Sequence, residues 1–356
     1  MKTDALKKHL RNLERFDADT IRRDGYLRLD MNENVLGLPK SVVNGVFRTL
    51  TPNVLAGYPQ YGELRKKLAK HNSLRPENIC LTCGSDSAIK LIYEAYVSPG
   101  DKVIVTDPTF AMYPVYCDMY AAKMISVPYP ANFKFPAKAF LSKMTKGVRL
   151  AVAVSPNNPI GSIIELKDLK ALIKKAHQNG ILLIVDEAYV HSYDVTVMKD
   201  IKKYDNLIVL RTSSKLLGLA GVRFGYAAAH AKIIKDLRRV QPTFEVNAVA
   251  VAFFKKLLDS PTIVKKFIAE VKGGKKYLVA QLKKANIPFY AGYSNYLLIK
   301  CGEKAGPVMD GLKKKKILIH GRFKQPILKN YIRVTIGPVP VMKRFWSEFS
   351  RTWRTI

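Results

Sequence analysis

The sequence predicts an α/β protein in which a large domain, a mostly parallel sheet sandwiched by helices, is joined to a smaller α+β domain. Apolar runs of strand length alternate with stretches of helical spacing through the middle of the chain, as a parallel sheet with helical crossovers requires. Beyond about residue 251 this alternation ends, and long amphipathic stretches precede three short apolar runs. With 356 residues, 48% of them hydrophobic, the chain exceeds one ordinary domain.

The elements of the larger sheet follow one another in a regular order. A turn signal at 98–101 precedes the strand pattern 102–107, and a second strand pattern covers 148–154. Helical spacing over 166–179 stops at Gly180, a residue type that favours the left-handed conformation after a helix. Two more strand patterns follow, at 181–185 and 206–210. Polar residues come directly after these strands, where open α/β sheets place their ligands.

The C-terminal part has a different pattern. Amphipathic stretches at 251–258 and 263–285 are followed by strand patterns at 296–300, 317–320 and 331–336. We therefore expect a large domain over residues 31–250. Residues 1–30 and 251–356 are expected to form the small domain together.

The charge balance is strongly basic, with 60 Lys and Arg against 28 Asp and Glu and a formal net charge of +32. The basic residues are spread along the whole chain, and their longest run is 313–316. No helix-turn-helix, zinc-finger or RNA-binding pattern accompanies them, so the sequence does not indicate specific nucleic-acid binding. We interpret the charge as solvated helix faces that also attract phosphorylated ligands. The sequence also lacks G-x-G-x-x-G and P-loop motifs, which argues against nicotinamide and nucleotide-hydrolysis chemistry.

The cysteines, the N-terminus and the apolar runs indicate the cellular compartment and bear on metal binding. Four cysteines are few for this length, and the N-terminus is charged and helical in pattern, without the apolar segment of a signal peptide. No apolar run is long enough for a membrane span, so we expect a cytoplasmic protein without membrane insertion. Cys80 and Cys83 have C-x-x-C spacing but no second pair, and the segment is better interpreted as the end of a strand than as a metal site.

Two segments carry the chemistry. The apolar run 181–185 closes on Asp186, and Lys215 lies farther on in a run of hydroxyl residues and glycines, 211–225. A lysine can bond covalently to an aldehyde, and a buried carboxylate can keep a pyridine nitrogen protonated. Hydroxyls and an arginine can bind a phosphate. Pyridoxal 5'-phosphate (PLP) needs all of these groups, so the sequence predicts a PLP enzyme with Lys215 and Asp186 as catalytic residues.

A wider pattern supports this interpretation over nearly the whole chain. Its eight segments, in order, are residues 31–37, 58–64, 84–89, 108–113, 156–161, 186–189, 211–225 and 331–337. Together they resemble the fold type I PLP enzymes, in particular the histidinol-phosphate aminotransferase family. The resemblance implies the aspartate-aminotransferase-like fold, PLP as cofactor and a homodimer.

The resemblance also implies a role for each residue of a cofactor site. Lys215 bonds to the cofactor and then moves a proton, with Asp186 on the ring nitrogen and Tyr189 and Asn158 on the phenolic oxygen. Phe110 stacks on the ring, although a core position fits it as well. The residues implied to contact the phosphate are Ser85, Asp86, Thr212, Ser214, Arg223 and, from the neighbouring subunit, Tyr58. Ser85 and Asp86 open a helix, so plain N-capping would look the same in the sequence.

The resemblance specifies the substrate-binding residues and the type of reaction less closely than the cofactor site. Arg333 matches the arginine that binds the acidic group of the substrate, since a guanidinium suits a carboxylate or a phosphate. His320 stands where the family usually has a second arginine, with Arg322 two residues on. We expect an aminotransferase that moves an amino group from an amino acid to a small, phosphorylated carbonyl acceptor. A phospho-amino-acid decarboxylase is the alternative, and a non-catalytic binding protein is disfavoured by the complete set Lys215, Asp186, Tyr189 and Arg223.

Overall fold

The structure is a computed structural model that describes residues 5–11, 13 and 23–356. The strands are β1 (Leu27–Leu29), β2 (Ile79–Thr82), β3 (Lys102–Asp107), β4 (Lys123–Pro128), β5 (Val148–Val154), β6 (Leu182–Asp186), β7 (Leu207–Thr212), β8 (Gly225–Ala229), β9 (Phe289–Tyr290), β10 (Tyr296–Lys300), β11 (Ile317–Ile319) and β12 (Tyr331–Thr335). The helices are α1 (Lys40–Phe47), α2 (Pro52–Ala56), α3 (Gly62–His71), α4 (Gly84–Tyr96), α5 (Met112–Met119), α6 (Ala137–Lys143), α7 (Leu166–Asn179), α8 (Ala231–Val240), α9 (Ala248–Leu258), α10 (Pro261–Lys284), α11 (Ala305–Lys314) and α12 (Val339–Thr355).

The large sheet has seven strands in the order β2-β8-β7-β6-β5-β3-β4. The strands from β7 to β4 are parallel, and β8 is antiparallel to both of its neighbours. Buried side chains of α4, α5 and α8 pack on one face, and those of α1, α3, α6, α7 and α9 pack on the other. The predicted mostly parallel sheet with helices on both faces is therefore confirmed.

The predicted elements match the observed ones closely, with shifts at their ends. Strands β3, β5 and β10 and helix α7 have the predicted bounds, and Gly180 after α7 adopts a left-handed conformation with φ of 66°. Strand β6 starts and ends one residue later than the pattern, so that Asp186 is its last residue. The N-terminal segment was expected to be helical; residues 1–4 lie outside the described part, and Lys8–Leu10 form only a single 3₁₀ turn.

A second core lies in the C-terminal part. Strands β12, β10 and β9 form an antiparallel sheet, and β1 pairs in parallel with β11. Helices α10, α11 and α12 cover this core with buried apolar side chains. Residues 27–29 thus join the C-terminal part, whereas His9 contacts Met119 of α5 in the large part.

The proposed domain boundary needs one adjustment. The predicted limit at residue 250 cuts helix α9, whose Phe253, Phe254 and Leu257 are buried in the core of the large sheet. A helix with its apolar face in that core belongs to it. We propose that the small domain starts near Ser260, where α9 has ended and α10 begins.

The two parts meet at a close backbone contact. The Tyr293 N–H donates to the Gly161 carbonyl at 2.6 Å. A Cβ on Gly292 would overlap the backbone of Gly161, so no larger residue fits there without movement. The Tyr296 hydroxyl donates to the Asn157 carbonyl at 2.5 Å beside this contact. The loop after β5 and the loop before β10 are thereby held together.

Helix packing in the small domain gives a stability prediction. Gly274 of α10 lies against the backbone of Gly337, and a Cβ on it would overlap the Gly337 carbonyl oxygen. Gly274→Ala should therefore lower the free energy of unfolding by roughly 1–3 kcal/mol through overpacking, measured by denaturant titration. Its neighbour Gly273 is the matched control, because the nearest atom to a Cβ there is 3.7 Å away. Gly273→Ala should be neutral or stabilising by up to about 1 kcal/mol. Equal effects of the two changes would contradict the packing argument.

Candidate active site

The candidate site lies where the parallel strands end. Strands β5, β6 and β7 run side by side in the same direction, so the residues after them gather at one edge of the sheet. Asn158 follows β5, Asp186 ends β6 and Lys215 follows β7. Residues that are far apart in the sequence thus meet in one cleft.

Asp186 is a buried carboxylate, 2% exposed. It accepts hydrogen bonds from the Tyr113 hydroxyl at 2.7 Å and from the Ala188 N–H at 2.9 Å. No ion pair involves this carboxylate within the part of the chain that the structure describes. Burial raises the pKa of Asp186, and the two hydrogen bonds oppose the rise only in part. A buried negative charge is costly, so a cationic group of a ligand would stabilise Asp186 in this position.

Lys215 is partly buried and faces the same cleft. Its Nζ donates to the Met31 carbonyl at 3.2 Å and lies 6.0 Å from the centre of the Tyr189 ring. Burial, followed by the positive charge of Arg333, lowers the pKa of Lys215 to about 8. A sizeable share of this amine is therefore neutral near pH 7.5, which is the form that attacks an aldehyde or accepts a proton.

The Tyr189 hydroxyl is buried between the two parts of the molecule. It accepts a hydrogen bond from Asn32 Nδ2 at 2.9 Å. Burial raises the pKa of Tyr189 to about 12, while Arg333 opposes the rise. The hydroxyl therefore keeps its proton at neutral pH and can donate it to an acceptor in the cleft.

A group of polar residues forms a cup at the start of α4, which we call the phosphate cup: Gly84, Ser85, Thr212, Ser214 and Arg223. Arg223 Nη1 donates to Ser214 Oγ at 3.3 Å, and Thr212 Oγ1 bonds to the same oxygen at 3.0 Å. The Arg223 guanidinium covers Gly84, since a Cβ there would lie 2.7 Å from Nη2. A helix start, two hydroxyls and a guanidinium thus lie next to one another, a combination that suits a phosphate.

Arg333 forms the opposite side of the cleft and is 6% exposed. Its Nη1 donates to Asn158 Oδ1 at 2.6 Å and its Nη2 to the Asp30 carbonyl at 2.8 Å. Its buried Nε has no hydrogen-bond partner. Burial lowers the pKa of Arg333. A buried guanidinium that has only neutral partners can take an anion from the cleft.

His320 and Arg322 differ in their relation to Arg333. His320 pairs with Arg333 through two backbone hydrogen bonds of 3.1 and 2.7 Å. Although the residue is exposed at its edge, desolvation by the protein atoms around the ring, followed by the Arg333 charge, lowers the pKa of His320 to about 3, so the imidazole is neutral at pH 7. Arg322 is 62% exposed and bonds both oxygens of Asp310 on α11, at 2.8 and 2.7 Å. Because its guanidinium is committed to that carboxylate, we leave Arg322 out of the proposed site.

The remaining predicted residues lie at the edges of the site. Asp86, in the first turn of α4, accepts from the Tyr116 hydroxyl at 3.0 Å. Phe110 is half-buried, with its ring edge-on to Tyr113. Tyr58 is 77% exposed and stacks on Phe244 with ring centres 4.1 Å apart. Tyr58 has no contact with the phosphate cup of its own chain among the hydrogen bonds of the described residues.

Two residues of the cleft were not assigned a role from the sequence. Tyr113 holds the Asp186 carboxylate, and Asn32 holds the Tyr189 hydroxyl. Both fall in segments that the family pattern contains, but only the fold brings them to their partners. Asn32 lies in a mostly polar stretch, Asp30 to Asn34, directly after the apolar strand β1, and nothing in that stretch distinguishes it from its neighbours.

The sequence of this chain matches a known family of enzymes over most of its length. The profile of the family described as "Aminotransferase class I and II" matches residues 24–347. The chain belongs to this family. It is a PLP-dependent aminotransferase. The histidinol-phosphate aminotransferase of a Thermoanaerobacter species is 33% identical over 87% of this chain and 88% of that protein. The one from Clostridium novyi is 30% identical over 87% of each chain.

Solved structures agree with the fold of the aminotransferase. Histidinol-phosphate aminotransferase from Sinorhizobium meliloti, solved in complex with PLP, has a TM-score of 0.90 and 20% identity, covering 99% of this chain and 98% of that one. A double mutant of aspartate aminotransferase from Thermus thermophilus has a TM-score of 0.83 at 20% identity, over 98% and 99% of the two chains. The predicted aspartate-aminotransferase-like fold is confirmed.

The residues present fit PLP in this aminotransferase. The unpaired buried carboxylate of Asp186 suits a protonated ring nitrogen, and the neutral fraction of Lys215 suits the aldehyde. The phosphate cup supplies hydroxyl, guanidinium and helix-start donors for a dianion. Each part of the cofactor thus has a chemical counterpart in the cleft.

The charge of Asp186 gives a prediction about pH. Because the folded state raises the pKa of this acid, the cofactor-free protein gains stability from it at low pH and loses that stability as pH rises through the folded pKa. Asp186→Asn removes the buried charge and keeps the shape. The melting temperature of the cofactor-free variant should match that of the wild type near pH 4 and exceed it at pH 7.5.

With PLP bound, the wild type should have the higher melting temperature at pH 7.5, because in Asp186→Asn the ring nitrogen of the cofactor has lost its counter-charge. Differential scanning fluorimetry of both proteins, with and without PLP, measures all four cases. A cofactor-free Asp186→Asn protein that is less stable than the wild type at pH 7.5 would contradict this account of the carboxylate.

Proposed function

We propose that this aminotransferase moves an amino group from an amino acid, such as glutamate, to a small carbonyl compound that carries a phosphate. The observation that supports the proposal is Arg333, a buried guanidinium whose Nη1 contacts Asn158, whose partners are neutral and whose Nε has no hydrogen-bond partner. A transaminase binds its two substrates in turn at one site. A single guanidinium can bind the carboxylate of the donor and then the phosphate of the acceptor.

The proposed roles follow from the chemistry of each group. When bound, PLP supplies an aldehyde for the substrate amine and a ring that withdraws electrons from the bond being broken. Lys215 holds the cofactor and, when free, accepts and returns the proton that moves during the transfer. Asp186 keeps the ring nitrogen protonated, and Tyr189 and Asn158 bind the phenolic oxygen. The phosphate cup anchors the cofactor, together with Asp86 and the Phe110 ring.

The acceptor is proposed from the relatives and the charge of the site. The relatives named above are histidinol-phosphate aminotransferases, which supports a phosphate ester as substrate. His320 contributes no positive charge at neutral pH, so Arg333 is the proposed anchor and His320 a specificity residue beside it. The family match favours transamination over the decarboxylation of a phospho-amino acid.

We also propose a homodimer, supported by the surface around Tyr58. Phe47, Leu55 and Phe244 are 56%, 59% and 46% exposed, and they lie on or near the first helices with Tyr58. Exposed apolar side chains that cluster in this way are typical of protein interfaces. Tyr58 would then reach the cofactor phosphate of the partner subunit.

The cytoplasmic location stays a prediction, supported by four cysteines without disulfides. In the part of the chain that the structure describes, no helix has the length and apolarity needed to cross a membrane.

The proposed function is tested by comparing a phosphorylated substrate with its unphosphorylated form, in the wild type and in a variant without Arg333. With 2-oxoglutarate as the acceptor, histidinol phosphate should be a better amino donor than histidinol. Arg333→Ala should lower kcat/KM for histidinol phosphate by roughly 100-fold or more, because a buried bidentate contact to a charge is lost. Steady-state kinetics of glutamate formation measure this change.

Two control variants distinguish loss of the proposed site from loss of a surface charge. Arg322→Ala should stay within about twofold, since an exposed ion pair contributes little. Lys215→Ala should abolish turnover. Equal use of histidinol and histidinol phosphate would contradict the phosphorylated acceptor. Carbon dioxide release from O-phosphothreonine without amino transfer would favour the decarboxylase.

The proposed homodimer has its own test. Size-exclusion chromatography with light scattering should give twice the mass of one chain for the wild type. Leu55→Glu places a charge in the proposed interface and should shift the protein toward monomer. Leu166→Glu is the matched control, because Leu166 is an exposed leucine, 47%, at the start of α7 outside this surface. A monomeric and fully active wild type would contradict the dimer.

A further inference from the structure

Asn32 is a buried asparagine at the junction of the two parts of the molecule, 1% exposed. It has the left-handed φ of 59°, which asparagine tolerates better than most residues. Its backbone N–H donates to Thr335 Oγ1 at 3.0 Å, and its carbonyl accepts from Asn295 Nδ2 at 3.0 Å. Thr335 Oγ1 also lies 3.3 Å from Asn32 Oδ1. Three contacts from the small domain therefore fix both its backbone and its amide group.

The amide that these contacts hold is directed at Tyr189. With Oδ1 on Thr335, Nδ2 is the atom that donates to the Tyr189 hydroxyl at 2.9 Å. A hydroxyl oxygen that accepts one hydrogen bond still has its proton to give. Because hydrogen bonds in a chain polarise one another, the bond from Asn32 makes Tyr189 a stronger donor toward the cleft.

The groups around Tyr189 act in opposite directions on the charge of its hydroxyl and hold its ring in place. Lys215 Nζ lies 6.0 Å from the Tyr189 ring centre, and Arg333 lowers the pKa of the hydroxyl while Asp186 raises it. Tyr296 packs edge-on against the ring with centres 5.5 Å apart and fixes its plane. The ring is thus held by packing, and the direction of its proton is left to Asn32.

We propose that Asn32 is a positioning residue that directs the Tyr189 proton toward the phenolic oxygen of the cofactor and strengthens that hydrogen bond. The inference rests on the proposed role of Tyr189. Thr335 lies two residues after Arg333 on β12, so the same strand carries the substrate anchor and the support of Asn32. The small domain thereby influences the cofactor as well as the substrate.

The test is a spectroscopic titration of the holoenzyme without substrate. The absorption of bound PLP changes when the nitrogen that joins it to Lys215 loses its proton. A phenolic oxygen that receives a weaker hydrogen bond keeps more negative charge, and this charge makes the neighbouring nitrogen hold its proton more tightly. Asn32→Asp keeps the shape and the acceptor for Thr335 but removes the donor to Tyr189. Asn32→Gly deletes the amide and accepts the left-handed φ. Both variants are titrated alone and combined with Tyr189→Phe.

We expect the pKa of the chromophore to rise in Asn32→Gly by roughly 0.5 pH units, and further in Asn32→Asp, whose carboxylate opposes negative charge on Tyr189 and the cofactor. In the Tyr189→Phe background the Asn32→Gly change should leave the pKa unmoved, because the hydroxyl that transmits its effect is absent. Melting temperatures verify that each variant is folded.

Three results would overturn the inference. One is an unchanged pKa in both single variants, and another is an equal shift from Asn32→Gly with and without the Tyr189 hydroxyl. The third is a fall in pKa in either single variant. A wild type that forms no Lys215 chromophore with PLP would instead contradict the cofactor site itself, so the two failures are distinguishable.

Discussion

The buried carboxylate of Asp186 is the constraint on which the rest of the site depends. It ends the central strand β6, and flanking strands on both sides leave it little access to water. A hydroxyl and one N–H stabilise it without neutralising it. The fold therefore holds a buried carboxylate that a positively charged ligand group would stabilise, and in the proposed site Lys215 and the phosphate cup receive the other ends of that ligand.

In the proposed reaction the two domains contribute different groups. The large domain supplies Asp186, Lys215 and the phosphate cup on rigid strand ends and a helix start. The small domain supplies Arg333, whose strand is linked through Thr335 and Asn32 to Tyr189. The strand of the proposed substrate anchor and the proposed cofactor residue Tyr189 are thus connected by hydrogen bonds of about 3 Å across the junction. Such a link suits an enzyme that accepts two different substrates in turn.

Much of the fold was predictable because its signals are local. The strand patterns of β3, β5 and β10 and the glycine after α7 depend on near neighbours in the sequence. The cofactor was predictable because an acid at the end of an apolar strand and a lysine among hydroxyls are an unusual combination, while the individual roles of Asp186 and Lys215 stay predictions. The pairing of these residues in one cleft follows from the parallel order of the strands.

The rest depends on contacts between distant residues. Asn32 and Thr335 are 303 positions apart, and no pattern within either segment specifies their hydrogen bond. We propose a boundary later than residue 250 because the amphipathic spacing of α9 shows that the helix has a buried face but not which core receives it. Arg322 stood near the expected anchor in the sequence, yet Asp310, one helix away, determines where its guanidinium lies.

The phosphate cup has an unequal tolerance to mutation. A Cβ on Gly225 would lie 2.5 Å from the Gly84 carbonyl carbon and 2.6 Å from the Ser85 nitrogen, and Gly84 has a φ of 80°. Its donors Ser85, Thr212 and Ser214 are hydroxyl residues, among which serine and threonine can exchange. The proposed phosphate-binding side chains can therefore be exchanged conservatively, whereas Gly84 of the cup and the adjoining Gly225, which contribute no side chain, admit no larger residue without movement.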